Sequence, residues 1–95
     1  MFYYNVNPFG AIIVSKLINE PIITHESRPN ILTAFIWRKK FYRVLEIIGW
    51  WREPAKWWDN ELMKYYIRVN ARHTSTGTFE LYKSGKEWFL HRVLD

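Results

Sequence analysis

Over residues 64–72 apolar and polar side chains alternate without a break. Tyr65, Ile67, Val69 and Ala71 fall on one side. Lys64, Tyr66, Arg68, Asn70 and Arg72 fall on the other. A period of two is what a half-buried β-strand requires, so this segment predicts a strand with the first set facing a core. The same logic carries along the chain. Residues 21–26 are β-rich. Residues 27–30 read as a turn, because Pro29 fixes φ and Asn30 tolerates the left-handed region. Residues 31–37 are β-branched and aromatic and predict a second strand. A tight polar connection at residues 38–40 leads to a longer strand at 41–51, in which Gly49 marks a bulge or bend. After a loop at residues 73–77, strands at 78–82 and 87–94 flank a hairpin turn at 83–86, where Gly85 can supply positive φ.

Short strands joined by hairpin-length links predict an all-β domain. The expected form is a small, highly twisted antiparallel meander or barrel of about six strands, since closure removes vulnerable edges. Two segments stand apart. Residues 1–20 read as an irregular lead-in with one short strand at 12–14, and residues 21–95 as the domain proper. Pro54 breaks the strand pattern, and residues 57–63 read either as a short helical turn or as a loop whose tryptophans plug one end of a barrel.

Composition sharpens this. Six Trp, six Tyr and six Phe make 19% of 95 residues aromatic, more than a small core absorbs easily. Trp and Tyr also need polar partners when buried, so some rings are expected at half-exposed edges. Trp50-Trp51 and Trp57-Trp58 are the conspicuous pairs. Of Trp57 and Trp58, one is expected to anchor the core and the other to stay accessible. No cysteine is present, which excludes disulfides, thiolate metal sites and cysteine nucleophiles.

Fourteen Lys and Arg against nine Asp and Glu leave a formal charge of +5. That excess favours an acidic partner, nucleic acid first. Arg38, Lys39, Lys40 and Arg43 lie within six residues with no acid between them. The longest apolar run near the start, residues 9–14, falls far short of the ~20 residues that span a bilayer, and no basic leader precedes it. A cytoplasmic location without membrane attachment is therefore expected.

Chemistry-bearing motifs are sparse. His25, His73 and His91 have neither zinc-finger spacing nor cysteine partners, so no metal or other cofactor is expected. No Gly-rich phosphate loop, GxSxG elbow or HExxH occurs. Glu53 and Asp59 each have a neighbouring cation, Arg52 or Lys56, which suits surface ion pairing better than acid-base work. No catalytic residue is identified, and an enzyme acting on nucleotides or nucleic acid ranks a distant third. What remains is a basic-aromatic pattern: cations adjoin rings in nearly every strand, as proteins that hold single strands use them. The candidate nucleic-acid-binding residues are Trp37, Arg38, Lys39, Lys40, Arg43, Tyr66, Arg68 and Arg72, with Trp37 or Tyr66 as a stacking ring. The competing reading is a core of inward rings with merely solvated outward cations.

Residues 21–95 resemble a small uncharacterised bacterial family. The resemblance rests on F-x-W-R at Phe35 and Arg38, F-Y-R-V at Phe41 and Val44, and Trp51-Arg52 followed by Trp57-Trp58. Y-Y-x-R-V at Tyr65 and Val69, Gly77 with the strand at 79–82, and W-x-L-x-R-V-x-D at Trp88 and Asp95 complete it. Members resemble the C-terminal tail of ImuB-like polymerase homologues and are associated with Y-family translesion DNA polymerases. The resemblance implies an accessory role in DNA damage tolerance and carries no catalytic residue. The function expected is a non-enzymatic adaptor binding single-stranded DNA, a Y-family polymerase complex, or both. The alternative is a purely protein-binding module whose basic charge is incidental, with no nucleic-acid role.

Overall fold

The computed structural model describes residues 2–6, 12–54 and 63–94. Seven strands follow one another: β1 (Phe2–Val6), β2 (Ile12–Arg28), β3 (Ile31–Trp37), β4 (Lys40–Glu53), β5 (Lys64–Arg72), β6 (Thr76–Ser84) and β7 (Glu87–Leu94). Each pairs antiparallel with the next, and β2 also pairs with β7. Six strands, β2 to β7, thereby close into a small barrel, and β1 extends β2 on its outer side. No helix occurs among the described residues. The helical-turn alternative at residues 57–63, and the expectation for Trp57 and Trp58, fall outside the described residues except at Met63, which is in neither helix nor strand.

Closure depends on β2, and here the sequence reading needs correction. The division between a lead-in and a domain at residue 21 falls inside a single strand of 17 residues. Its first half pairs with β7 from Ser15↔Leu94 to Ile22↔Trp88. Its second half pairs with β3 from Ile23↔Ile36 to Arg28↔Ile31. Between Leu17 and Glu20 the register shifts, and Asn19 takes a left-handed φ of 52°. Asn tolerates that region better than most residues, and a bulge bends its strand and adds twist. The bend lets one strand serve two neighbours. Pro21 is tolerated because pairing with β3 begins only at Ile23, so its missing N–H breaks no bond on that side.

The turns obey their residues. Pro29-Asn30 joins β2 to β3 with Asn30 at φ 66°, and the Asn30 amide donates to Glu26 Oε2 at 2.9 Å. Gly85 has φ 63° in the β6–β7 turn. The β3–β4 hairpin is less usual: Arg38 and Lys39 both have positive φ, 51° and 64°. Such turns normally take Asn-Gly, and a left-handed non-glycine residue costs ~1–2 kcal/mol.

The core lies where the alternation places it. Ile67, Val69 and Ala71 are fully buried, and Tyr65 packs partly buried against them. Leu32, Phe35, Phe79, Leu81, Trp88 and Leu90 complete the cluster. The bulge foreseen at Gly49 is present as a register shift between Ile47 and Gly49.

Candidate functional site

Two hollows meet at one end of the barrel. The first is a cleft of about 400 Å³. Phe79, Ile18 and Val93 provide its apolar lining, and Trp37 and Tyr42 contribute rings. Lys16 from β2 and Lys40 from β4 bring charge, and His73, Thr74 and Ser75 come from the β5–β6 loop. The second is a groove of about 410 Å³ bounded by Phe41, Arg43, Arg72 and His73. His73 belongs to both. Phe41 and Tyr42 are consecutive in β4, so they point to opposite faces: Tyr42 lines the cleft and Phe41 the outer groove.

Among the described residues no carboxylate lines either hollow. Arg43 and Arg72 are direct cross-strand partners, an arrangement in which like charges repel. Neither has an ion-pair partner among the described residues. The Nδ1 of His73 lies 2.9 Å from the Phe41 carbonyl oxygen. A carbonyl only accepts, so Nδ1 carries the hydrogen, which leaves Nε2 as the ring's uncommitted nitrogen. Tyr42 stacks on Phe35 at 5.1 Å and meets His73 at 5.3 Å, so its ring is held in place. Phe41 is 52% exposed, with the His25 ring tilted against it at 6.2 Å, and leaves much of its ring open to the groove.

The eight residues singled out from the sequence divide. Lys39, Lys40, Arg43 and Arg72 are exposed cations at or beside the two hollows. Arg38 is already engaged. Its Nε and a terminal nitrogen donate to the two oxygens of Glu20 at 3.0 and 2.6 Å, and its guanidinium lies 4.6 Å from the Trp37 ring centre. Trp37 Nε1 donates to the same carboxylate at 3.0 Å. These bonds hold the Glu20 carboxyl down at about 2 and secure the left-handed hairpin. One face of Trp37 is thus covered by Arg38, while the half-buried ring also lines the cleft.

Two expectations are corrected. Arg68 does not join Arg72 in one basic surface: it lies opposite Gly49, donates to Glu80 at 3.0 Å and sits 5.6 Å from the Trp51 ring. Tyr66 is not an exposed stacking ring, being only 6% exposed. It stacks on Trp51 at 5.3 Å with the planes 2° apart, and Tyr82 and His91 close around it. Burial, then the charge and hydrogen bond of Glu53, push its hydroxyl up to about 12. The polar side of β5 is therefore a packed outer layer at Tyr66 and Arg68, and a free basic surface only at Arg72.

Lys16, Phe41, Tyr42 and His73 were not among the candidates. Lys16 lay in the supposed lead-in, and His73 read as an ordinary loop histidine. The F-Y-R order at residues 41–43 was the one available signal, since alternation puts Phe41 and Arg43 on one face. Among the described residues no three His, Asp or Glu side chains gather as metal ligands would, and no helix is long and apolar enough to cross a membrane.

Comparison with known proteins places the chain in a family. A family model described as a domain of unknown function, DUF6504, matches residues 10–95. The chain belongs to the DUF6504 family. No curated protein matches it, and no solved structure does. The match begins at residue 10, so the family's domain includes the first half of β2, in agreement with the role of that segment in closing the barrel.

Proposed function

We propose that this DUF6504 domain is a non-enzymatic accessory protein that binds single-stranded nucleic acid at the basic end of its barrel. One observation carries the reading: Lys16, Lys40, Arg43 and Arg72 converge around Trp37, Phe41 and Tyr42 in two adjoining hollows that no carboxylate lines among the described residues. Cations that track phosphates beside rings that stack bases are the working parts of a single-strand site. The resemblance of residues 21–95 to the tail of ImuB-like polymerase homologues supports DNA damage tolerance in the cytoplasm as the setting, with a Y-family polymerase complex as the accompanying protein partner.

A fluorescence titration with a single-stranded oligonucleotide at two salt concentrations tests this. Binding should weaken with salt, and each phosphate neutralised should contribute ~0.7 to the slope of log affinity against log salt. Lys16→Ala and Lys40→Ala should each lower affinity and flatten that slope by about 0.7. Phe41→Ala should weaken binding by ~1–3 kcal/mol with little change in slope. Absence of binding even at low salt, where attraction between charges is strongest, would remove the nucleic-acid reading.

A second reading, a purely protein-binding module, draws on a different surface. Over residues 44–53, β4 pairs only with β5 among the described strands, and Leu45, Ile48 and Trp50 are 48%, 45% and 60% exposed there. If oligonucleotides fail to bind, this apolar edge becomes the leading surface.

A further inference from the structure

The groove between Arg43 and Arg72 differs in kind from the cleft beside it. We propose that it seats a phosphate monoester, the terminal phosphate of a bound single strand whose adjoining nucleotide occupies the cleft; this rests on the nucleic-acid reading above. Arg43 and Arg72 face each other across the β4–β5 ladder, so both guanidiniums rise from neighbouring positions on one outer face. Each offers five N–H donors in a planar fork that matches phosphate oxygens bidentately. Neither spends them on a carboxylate among the described residues. By contrast, the other β5 arginine, Arg68, is bound to Glu80 at 3.0 Å.

Charge selects the ligand. Two cations directly opposed across a ladder repel, and an anion between them turns that repulsion into attraction. An internal phosphodiester brings one negative charge. A phosphate monoester brings about 1.5–2 at neutral pH and three acceptor oxygens, so it matches two guanidiniums in charge and in donors. The Nδ1–H of His73 is held by the Phe41 carbonyl at 2.9 Å, which fixes the ring at the boundary of both hollows. Phe41, half exposed on the groove side, offers a flat apolar wall to the sugar or base next to the phosphate. The continuity of groove and cleft through His73 provides the path from the terminal phosphate to the nucleotide that follows it.

The test compares one oligonucleotide sequence in three forms, with a 5′-phosphate, with a 3′-phosphate and with hydroxyl ends, bound by the full chain at fixed salt. The expected result is a preference of about tenfold for a phosphorylated end over the hydroxyl-ended strand, the factor that hydrogen bonds to a charged group supply. Which end is preferred reads out the polarity of the strand. Arg43→Gln and Arg72→Gln should each remove most of that preference, whereas Arg68→Gln should keep it. Inorganic phosphate at millimolar concentration should compete away the preference and leave the hydroxyl-ended affinity nearly unchanged; equal displacement of all three strands would overturn the assignment to this groove. Equal affinity for the three strands would overturn the proposal while leaving single-strand binding intact. Failure of the hydroxyl-ended strand to bind, with a phosphorylated strand and inorganic phosphate still competing for the groove, would instead remove the wider nucleic-acid reading and keep the phosphate seat.

Discussion

Phe35→Ala is expected to destabilise the barrel by ~3–5 kcal/mol, the range for deleting a large aromatic ring from a core. Phe35 has no exposed surface. Its ring stacks on Tyr42 at 5.1 Å with the planes 9° apart, and Phe79 meets its edge at 5.5 Å. Tyr42 and Phe79 also meet each other at 5.2 Å, so the three rings form a closed cluster, two of whose members line the cleft. Small domains hold only ~5–15 kcal/mol in total, so this one substitution removes a large share. Denaturant titration should show a lower midpoint with an unchanged slope. Phe41→Ala is the internal control: its ring is 52% exposed, and its loss should cost well under ~1 kcal/mol. Equal, small losses for the two variants would mean that the ring cluster does not hold the barrel together.

The second large effect is expected at Glu80, whose side chain is 4% exposed. It receives Arg68 at 3.0 Å and Arg92 at 2.7 Å. His91 lies 3.9 Å away but is not a third cation. Its Nδ1 donates to Asn19 Oδ1 at 2.9 Å, and its Nε2 accepts from Arg92 at 3.1 Å, which describes a neutral ring. Burial first, then Arg92, lowers its affinity for a proton accordingly. Glu80→Ala removes a buried carboxylate that Arg68 and Arg92 share, and with it the contacts to both. Breaking a buried pair from one side costs ~3–5 kcal/mol; about 3 is expected here because Arg68 keeps its access to water at 44% exposure. Glu80→Gln, which keeps an acceptor oxygen, should cost less than the alanine variant. A loss below ~1 kcal/mol for Glu80→Ala, the level of an exposed pair, would show that the cluster is held no more tightly than surface charges.

The limits of the sequence reading follow from where its signals act. β3, β5 and β7 were legible to the residue because each is bounded by turn chemistry: Pro29-Asn30, the loop from His73, and Gly85. β2 was not: the pattern divides the chain at residue 21, whereas the register shift between Leu17 and Glu20 and the left-handed Asn19 lie within one continuous strand. Only closure of the barrel against β7 decides between the two. Charge behaved similarly. Arg38 and Arg68 counted as free cations along the chain, yet Glu20 and Glu80 reach them across neighbouring strands. Tyr66 sat on the polar side of a correct alternation, but that side is itself covered where Trp51, Tyr82 and His91 pack over it. What the local pattern could locate was the uncompensated charge at Lys39, Lys40 and Arg43, because no acid lies beside it in sequence and, among the described residues, none pairs with it in space.

Amide shift mapping by NMR with a short single-stranded oligonucleotide tests the central claim most directly, since it reports where on the barrel a strand lies. The account predicts shifts confined to Lys16, the start of β4 from Lys40 to Arg43, and the stretch from Arg72 to Gly77. Arg68, Tyr66 and Tyr82 should stay still. Shifts centred on the layer of Trp51, Tyr66, Tyr82 and Phe89, or no shifts at low salt, would contradict it.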